Sequence, residues 1–389
     1  MFYIKGQRNI INTLFPDAGE YDLILESIGN FVEKEILPDA KEIDQKEIFP
    51  RQNLAKSAKQ GVMAIPFPEE YHGLGLPFPV YIAALEMLAK ACANTALQIS
   101  IQGMVCEGIR LFGDDRQRKT FLKEEGLVEG KSLVAFALTE PGCGSDAKSI
   151  QTKAVLSGDV YVLNGTKTLI TSPGEADFIL VFARTDKGIS LFLVPRETPG
   201  FHVSKVIPKL GFKGHRLSEI HLENCEVARE NLLGEEGIGL EYAKQMLNVG
   251  RATIAAIAVG IAQAAYEKSL LYSKEREAFG EKISNFQLIQ EKLANMVTEI
   301  NAARLLTYYA AHLKDKGKDF ASEVSQAKLF ASEMALRVCD DAIQIHGGYG
   351  YTDEYDIHRH WRDARLITIA EGTSEIIKLL IAHLALKQI

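Results

Sequence analysis

Apolar positions along the chain recur with two different periods, and the changes of period divide it into three. From about residue 20 to 125 they return every three or four residues, as in "YDLILESIGNFVEKEIL" and "VYIAALEMLAKACANTALQISI", with Pro and Gly between the runs. That spacing predicts a helical domain. Between about 132 and 235 the runs shorten and become rich in Val, Leu, Ile and Phe: "SLVAFALTE", "DVYVL", "KTLIT", "DFILVFAR", "ISLFLVP" and "EIHLENCEV" read as strands, and "SIQTKAVL" looks like another. Within "DVYVLNGTKTLIT", Asn164 and Gly165 both tolerate positive φ, so this pair predicts a tight hairpin turn. From about 238 helical spacing returns in long segments, roughly 238–273, 285–315 and 319–345, with a last amphipathic segment at 373–386. The expected fold class is α+β: a helical domain over 1–131, a β domain over 132–235 and a second helical domain over 236–389, without internal repeats.

Composition narrows the partners. A chain of 389 residues with 47% hydrophobic and 24% charged residues has the makeup of a soluble globular protein of more than one domain. Its net charge of -7 repels phosphate backbones, so nucleic acid is not an expected partner. Cys92, Cys106, Cys143, Cys225 and Cys339 form an odd, scattered set with no C-x-x-C, which argues against a disulfide framework and against a structural zinc, and for a reducing compartment. The opening "MFYIKGQRNIINTLF" has no long apolar core and no small-residue cleavage site. The most apolar internal stretch, "ATIAAIAVGIAQAA", is shorter than the ~20 residues a bilayer span needs, and reads as a buried helix. No membrane partner is expected, and a bacterial cytoplasm is the expected location.

Candidate chemistry sits in a few short motifs, each with a plain structural reading beside the functional one. "EPGCGSDA" holds Gly142-x-Gly144-x-x-Ala147, superficially a dinucleotide fingerprint; that fingerprint needs the glycines to open a helix, whereas a strand follows here. A loop whose backbone N–H groups approach a ligand fits better, with an ordinary tight turn as the alternative. "QIHGGYGY" ends a long helix, as a glycine cap would, but its glycines also permit close approach of a flat or anionic group. "KEREAFGEKISNFQ" places Arg276, Phe279 and Gln287 at a helix break, where they are either surface residues or contacts to a phosphate and a ring. His358-x-His360 has strand-like spacing and no carboxylate or thiolate cluster, so no metal is expected. In "IAEGTSEII", Glu371 precedes residues suited to capping the last helix; it is a carboxylate favouring the helix dipole or, in an apolar pocket, a general base.

Taken together, "FALTEPGCGSD", "LNGTKTLIT", "REAFGEKISNFQ", "QIHGGYGY", "RDARL" and "EGTSEI", in this order over nearly the whole chain, resemble the acyl-CoA dehydrogenase family. The resemblance implies a β-barrel-like middle domain, a C-terminal four-helix bundle and a tightly bound FAD between them. It implies that Leu138, Thr139, Gly144, Ser145, Leu169 and Thr171 line the flavin side. Arg276, Phe279, Gln287, Gln344, Gly347 and Gly348 would contact cofactor, several of them on a neighbouring subunit, with Thr373 and Glu375 near its pyrophosphate and adenosine. A homotetramer, a dimer of dimers, is the implied assembly, and an electron-transferring flavoprotein the implied acceptor. Glu371 matches the family's catalytic glutamate, which takes the α-proton of an acyl-CoA while the β-hydrogen leaves as hydride to the flavin. Two donors would polarise the thioester carbonyl: the backbone N–H of Glu371, kept uncluttered by Gly372, and a flavin ribityl hydroxyl. Ser145, Asn248, Arg251, Ala370 and Gly372 would border the acyl-CoA.

Some branches carry the base just before an Arg that matches Arg251; here that position is Gly250, which leaves Glu371. Two departures bear on function. Leu169 stands where many members have a Trp against the flavin, and Ala370 stands where an aromatic often borders the acyl pocket, leaving room for a branched, cyclic or aryl-substituted acyl group. The same residues serve a dehydrogenase or, run backwards, an enoyl-CoA reductase. A catalytically silent binding or assembly protein has no use for Glu371, and a flavin oxidase or monooxygenase would reoxidise rapidly in air.

Overall fold

The computed structural model describes residues 4–15 and 19–387, so the first three residues of the N-terminal stretch and the last two of the chain lie outside it. The N-terminal domain contains α1 (Lys5–Leu14), α2 (Gly19–Phe31), α3 (Ala40–Gln45), α4 (Arg51–Lys59), α5 (Phe78–Ala91), α6 (Ala93–Phe112) and a one-turn α7 (Asp115–Gln117). Every residue of α5 is buried, and so is α6 through Ile109, so these two helices form the centre of the domain rather than its surface. They are separated by a single extended residue, Cys92.

The middle domain has eight strands: β1 (Val134–Ala137), β2 (Lys153–Ser157), β3 (Val160–Thr171), β4 (Phe178–Thr185), β5 (Gly188–Pro195), β6 (Phe201–Ile207), β7 (Leu217–Ala228) and β8 (Leu232–Leu233). They pair in the order β6-β7-β3-β2-β4-β5-β8, with β1 added in parallel to β4. Alternate residues of β4 enter two different cores. Ile179, Val181 and Ala183 join Leu163, Ile220, Leu222 and Phe201 in an interior shared by both halves of the sheet, which gives the domain its barrel-like character. Leu180 and Phe182 face the other way, into a cluster with Met104, Val105 and Ile109 of α6.

Three expectations are corrected here. Asn164-Gly165 is not a hairpin turn: β3 runs straight through it with a bulge, and the turn is Gly158-Asp159, between the paired Ser157 and Val160. Gly165 is needed for another reason, since a Cβ there would stand 2.7 Å from Cα of Thr152. β6 was not among the expected strands because it is an edge strand with mostly exposed or half-buried residues, so it shows no apolar run. His358 and His360 lie on a helix, not a strand.

The C-terminal domain comprises α8 (Gly239–Glu275), a small hairpin of β9 (Glu277–Ala278) and β10 (Glu281–Lys282), α9 (Gln287–Asp315), α10 (Ala321–His346), α11 (Ile357–Ile367) and α12 (Ser374–Leu386). By length and apolarity α8 could cross a membrane, contrary to the estimate from its most apolar stretch alone; 94% of its apolar window is buried among other helices, which makes it a core helix. It packs against α5, α6, α9, α10 and α11. A buried ion pair crosses this core, where Arg304 of α9 meets Glu86 of α5 at 2.9 Å and also donates to Gln263 of α8 at 2.8 Å.

Candidate active site

The segment between α11 and α12 passes over α8. Here Glu371 adopts φ +56° and Gly372 φ +104°, two consecutive residues in backbone regions that L side chains avoid. For a glutamate this costs on the order of 1–3 kcal/mol, and such strain persists where surrounding contacts enforce it, commonly at functional sites. Those contacts are visible. Arg251 Nε of α8 donates to the carbonyl of Glu371 at 3.3 Å, and Lys328 Nζ of α10 donates to the carbonyl of Gly372 at 2.6 Å. Thr373 then caps α12, accepting from the N–H of Ile376 at 3.4 Å. Among the described residues the backbone N–H of Glu371 has no partner.

The turn directs the Glu371 side chain against α8. A Cβ on Gly250 would lie 2.8 Å from Oε1 of Glu371 and 2.8 Å from Sδ of Met104, so only glycine leaves room for the carboxylate. Oε2 is buried and has no hydrogen-bond partner in the protein. Burial pushes the carboxyl up to about 7, against the downward pull of Lys328 and Arg251. Lys328 is itself fully buried, and burial draws its ammonium down to about 8 although Glu371 supports its charge. Arg251 Nη1 donates to Asn248 Oδ1 at 2.8 Å, which places Asn248, half-buried, on the same face of α8. Ala370 and Gly372, also half-buried, flank Glu371.

A second element of the site comes from the β domain. The loop after β1 carries Leu138, Thr139, Gly144 and Ser145, and it is pinned to β3: Thr168 N donates to the Thr139 carbonyl at 3.0 Å and Lys167 Nζ to the Leu138 carbonyl at 3.1 Å. Glu140 anchors the loop's other side, accepting from Lys167 at 2.7 Å and from the N–H groups of Gln151 at 2.5 Å and Thr152 at 3.0 Å. The glycines open no helix, only the three-residue turn Ala147–Ser149, which rules out the dinucleotide fingerprint. Between Lys167 and Ile170 the β3–β7 register shifts, and in this bulge Leu169 takes φ +55° and stands 54% exposed. The bulge turns the leucine outward beside Thr171, at the strand's end. Leu138 links the two elements, packing on the cluster that contains Met104.

The remaining candidates form a separate group. Arg276 stacks over the Tyr349 ring at 5.8 Å, which brings the α8–α9 break to the end of α10. Arg276, Phe279, Gln287, Gln344, Gly347 and Gly348 are all exposed, Phe279 almost wholly so at 98%. No hydrogen bond, ion pair or ring contact among the described residues joins this group to Glu371. Glu375 is exposed on the first turn of α12. On α11, His358 accepts from Arg362 and faces Asp353 while His360 is buried, and no cluster of His, Cys, Asp or Glu among the described residues could hold a metal.

Sequence reading missed Lys328, Glu140, Lys167 and Met104. Lys328 had a signal: it falls in the buried stripe Val324, Ala327, Lys328, Ala331, Ala335 of α10, the one charge on a face whose other polar groups are the small hydroxyls of Ser325 and Ser332.

The backbone at the candidate glycines is open to close approach by a ligand. Beside Gly142, Gly144, Gly347 and Gly348, nothing lies within 4 Å of where a Cβ would stand. Comparison with known proteins agrees with the geometry. Residues 19–129, 135–225 and 237–386 match, in turn, the N-terminal, middle and C-terminal domains of acyl-CoA dehydrogenases. The chain belongs to the acyl-CoA dehydrogenase family. Among curated members of the family, a Bacillus subtilis protein named as a probable acyl-CoA dehydrogenase is 45% identical, over 96% of this chain and all of the relative. The 3-(aryl)acrylate reductase of Clostridium sporogenes is 42% identical over 95% and 99%, and the human mitochondrial short-chain specific acyl-CoA dehydrogenase 42% over 93% and 89%. Two solved structures superpose closely. A chain solved in work on the electron transferring flavoprotein of Acidaminococcus fermentans gives TM-score 0.92 at 41% identity, covering 95% of this chain and 98% of that one. A Bacillus anthracis acyl-CoA dehydrogenase complexed with FAD gives TM-score 0.90 at 35% identity, covering 95% of this chain and 67% of that one.

Proposed function

We propose that this acyl-CoA dehydrogenase family enzyme converts an acyl-CoA thioester to the trans-2-enoyl-CoA, with Glu371 as base, FAD as cofactor and an electron-transferring flavoprotein as acceptor. The observation that carries this reading is the buried, unpartnered carboxylate oxygen of Glu371, seated against Gly250 with its carboxyl pushed up to about 7. A carboxylate of that basicity is ionised in an appreciable fraction of molecules at neutral pH and accepts a proton more readily than one in water. The free N–H of Glu371 serves as a donor to the thioester carbonyl, which acidifies the α C–H that the same residue's side chain deprotonates. FAD, when bound, supplies the acceptor for the β-hydrogen as hydride. Leu138, Thr139, Gly144, Ser145, Leu169 and Thr171 hold the flavin side, while Asn248, Arg251, Ala370 and Gly372, with Ser145, border the acyl-CoA.

The exposed group at Arg276, Phe279, Gln287, Gln344, Gly347 and Gly348 would contact FAD, several of these residues reaching that of a neighbouring subunit in a homotetramer, and Thr373 and Glu375 would lie near its pyrophosphate and adenosine. Five free, buried cysteines support a reducing compartment, the cytoplasm. The small side chain of Ala370 points to an acyl group branched, cyclic or aryl-substituted near the α and β carbons. Ala370→Tyr is expected to lower kcat/KM for such substrates at least ~10-fold more than for straight chains, since the added ring fills the space; turnover confined to straight chains and unchanged by the substitution would refute the pocket argument.

The test of the reaction is an anaerobic titration of the flavin-loaded enzyme with straight, branched and aryl acyl-CoAs. Bleaching of the visible flavin band by one class, lost in Glu371→Gln, is the expected result. A flavin band that no saturated acyl-CoA bleaches, but that the chemically reduced enzyme regains on adding an enoyl-CoA, would favour the second reading, an enoyl-CoA reductase. The similarity to the arylacrylate reductase supports that alternative, and by microscopic reversibility Glu371 would then return the α-proton.

A further inference from the structure

Lys328 is the more deeply buried of the two cations that hold this turn, the other being Arg251. It is fully buried on α10, the one charged side chain among apolar residues and the buried hydroxyls of Ser325 and Ser332, and its ammonium reaches a backbone carbonyl instead of closing an ion pair with a carboxylate. Burying a cation without a carboxylate in direct contact is unfavourable, so the interaction it makes must hold it there. That interaction is a charge-assisted bond of 2.6 Å to the carbonyl of Gly372, the residue just after the base. With Arg251 on the carbonyl of Glu371, two cations from two different helices grip consecutive carbonyls of one strained turn.

We propose that Lys328 is a positioning residue for the proton transfer, fixing the 371–372 turn so that the Glu371 side chain and N–H face the acyl group together, and setting the charge beside the base. The inference rests on Glu371 being that base. The groups facing one another here are Glu371, Arg251 of α8 and Lys328 of α10, and the charges of Glu333 and Glu375 also act on Lys328. The positive charge favours the ionised carboxylate, so its removal raises the carboxyl's pKa and moves the active form to higher pH. Because both groups ionise in the same range, the observed limb belongs to the pair.

The experiment is the pH profile of kcat/KM for dehydrogenation between about pH 5.5 and 9, where the free enzyme's base is read, for flavin-loaded wild type, Lys328→Met, Lys328→Arg and Glu371→Gln. Lys328→Met is expected to shift the acid limb upward by about one unit and to lose roughly 10-fold below pH 7, the shift that loss of one close charge produces. Lys328→Arg, which keeps the charge, is expected to hold the limb within ~0.3 unit even where kcat falls. Coincident profiles for wild type and Lys328→Met, or equal shifts for Met and Arg, overturn the proposal. Should Lys328→Met fail to accumulate as folded holoenzyme, the Arg variant decides: a limb displaced by more than ~0.5 unit overturns it, and an unmoved limb supports it. Glu371→Gln separates the two levels. If it keeps full activity, the base assignment fails; if it is inactive while Lys328→Met matches wild type, only the role of Lys328 fails.

Discussion

Two buried carboxylates in this molecule each have a fully buried lysine for a neighbour, and they are treated oppositely. In the β domain, Glu140 accepts from Lys167 and from two backbone N–H groups; burial alone would raise its carboxyl, yet these bonds outweigh it and hold it below the ordinary range. In the C-terminal domain, Lys328 bypasses the carboxylate of Glu371 and binds the next residue's carbonyl, one carboxylate oxygen is left without a partner, and burial prevails. A satisfied carboxylate is a fixture of the fold. An unsatisfied one is held at a cost in stability, which is reasonable only where a basic oxygen is used.

Substitutions can sharpen that contrast. The largest expected effect is on activity: Glu371→Gln should lower kcat by about 10³-fold or more, within the range general bases contribute, while leaving flavin binding intact. The same variant should be more stable than wild type at alkaline pH. A folded-state pKa of about 7, above the unfolded value, means that Glu371 disfavours folding once ionised. The stability difference should therefore be near zero below about pH 4, grow as pH rises, and level off above about pH 7 at up to ~3 kcal/mol. Urea melts of the two proteins at several pH values measure it.

Lys167→Met should do the reverse. It strands Glu140 beneath the loop proposed to hold the flavin, so a loss of about 3–5 kcal/mol and release of flavin are expected, measured by thermal melting and by the visible spectrum. Retention of full stability would mean that Glu140 is satisfied by the backbone alone. Gly250→Ala is the smallest perturbation, one methyl group 2.8 Å from the base. The carboxylate and the Met104 sulfur must both move, by roughly half an ångström or more, and a drop in kcat of roughly 10-fold, larger than the loss in melting temperature would explain, is expected.

How much of this was legible in the sequence follows the same division. The change of period from helix to strand and back is carried by many apolar residues, and the three-part architecture needed no more than that. The loop after β1 and Glu371 were marked as candidates by resemblance, because their glycines and acidic residue stand in a recognisable order. What was not legible depended on contacts across the chain. Asn164-Gly165 has the composition of a hairpin turn, but the approach of Thr152, which follows the distant Glu140 anchor, makes it part of a bulged strand. β6 bears almost no buried side chain and left no pattern. Lys328 and Glu371 are 43 residues apart, joined only where α10 and the turn before α12 meet at the Gly372 carbonyl.

The central claim is that burial keeps Glu371 a base that ionises near neutrality, and an infrared titration of the holoenzyme addresses it directly. The difference between wild type and Glu371→Gln is the quantity to follow, because Asp363, buried on α11 with its carboxyl raised to about 6, contributes equally to both and cancels. The account predicts a protonated-carboxyl band present at pH 5.5, lost with a midpoint near pH 7, and absent from the variant. A Glu371 band that has already vanished by pH 5.5, as for an ordinary solvated glutamate, would contradict it.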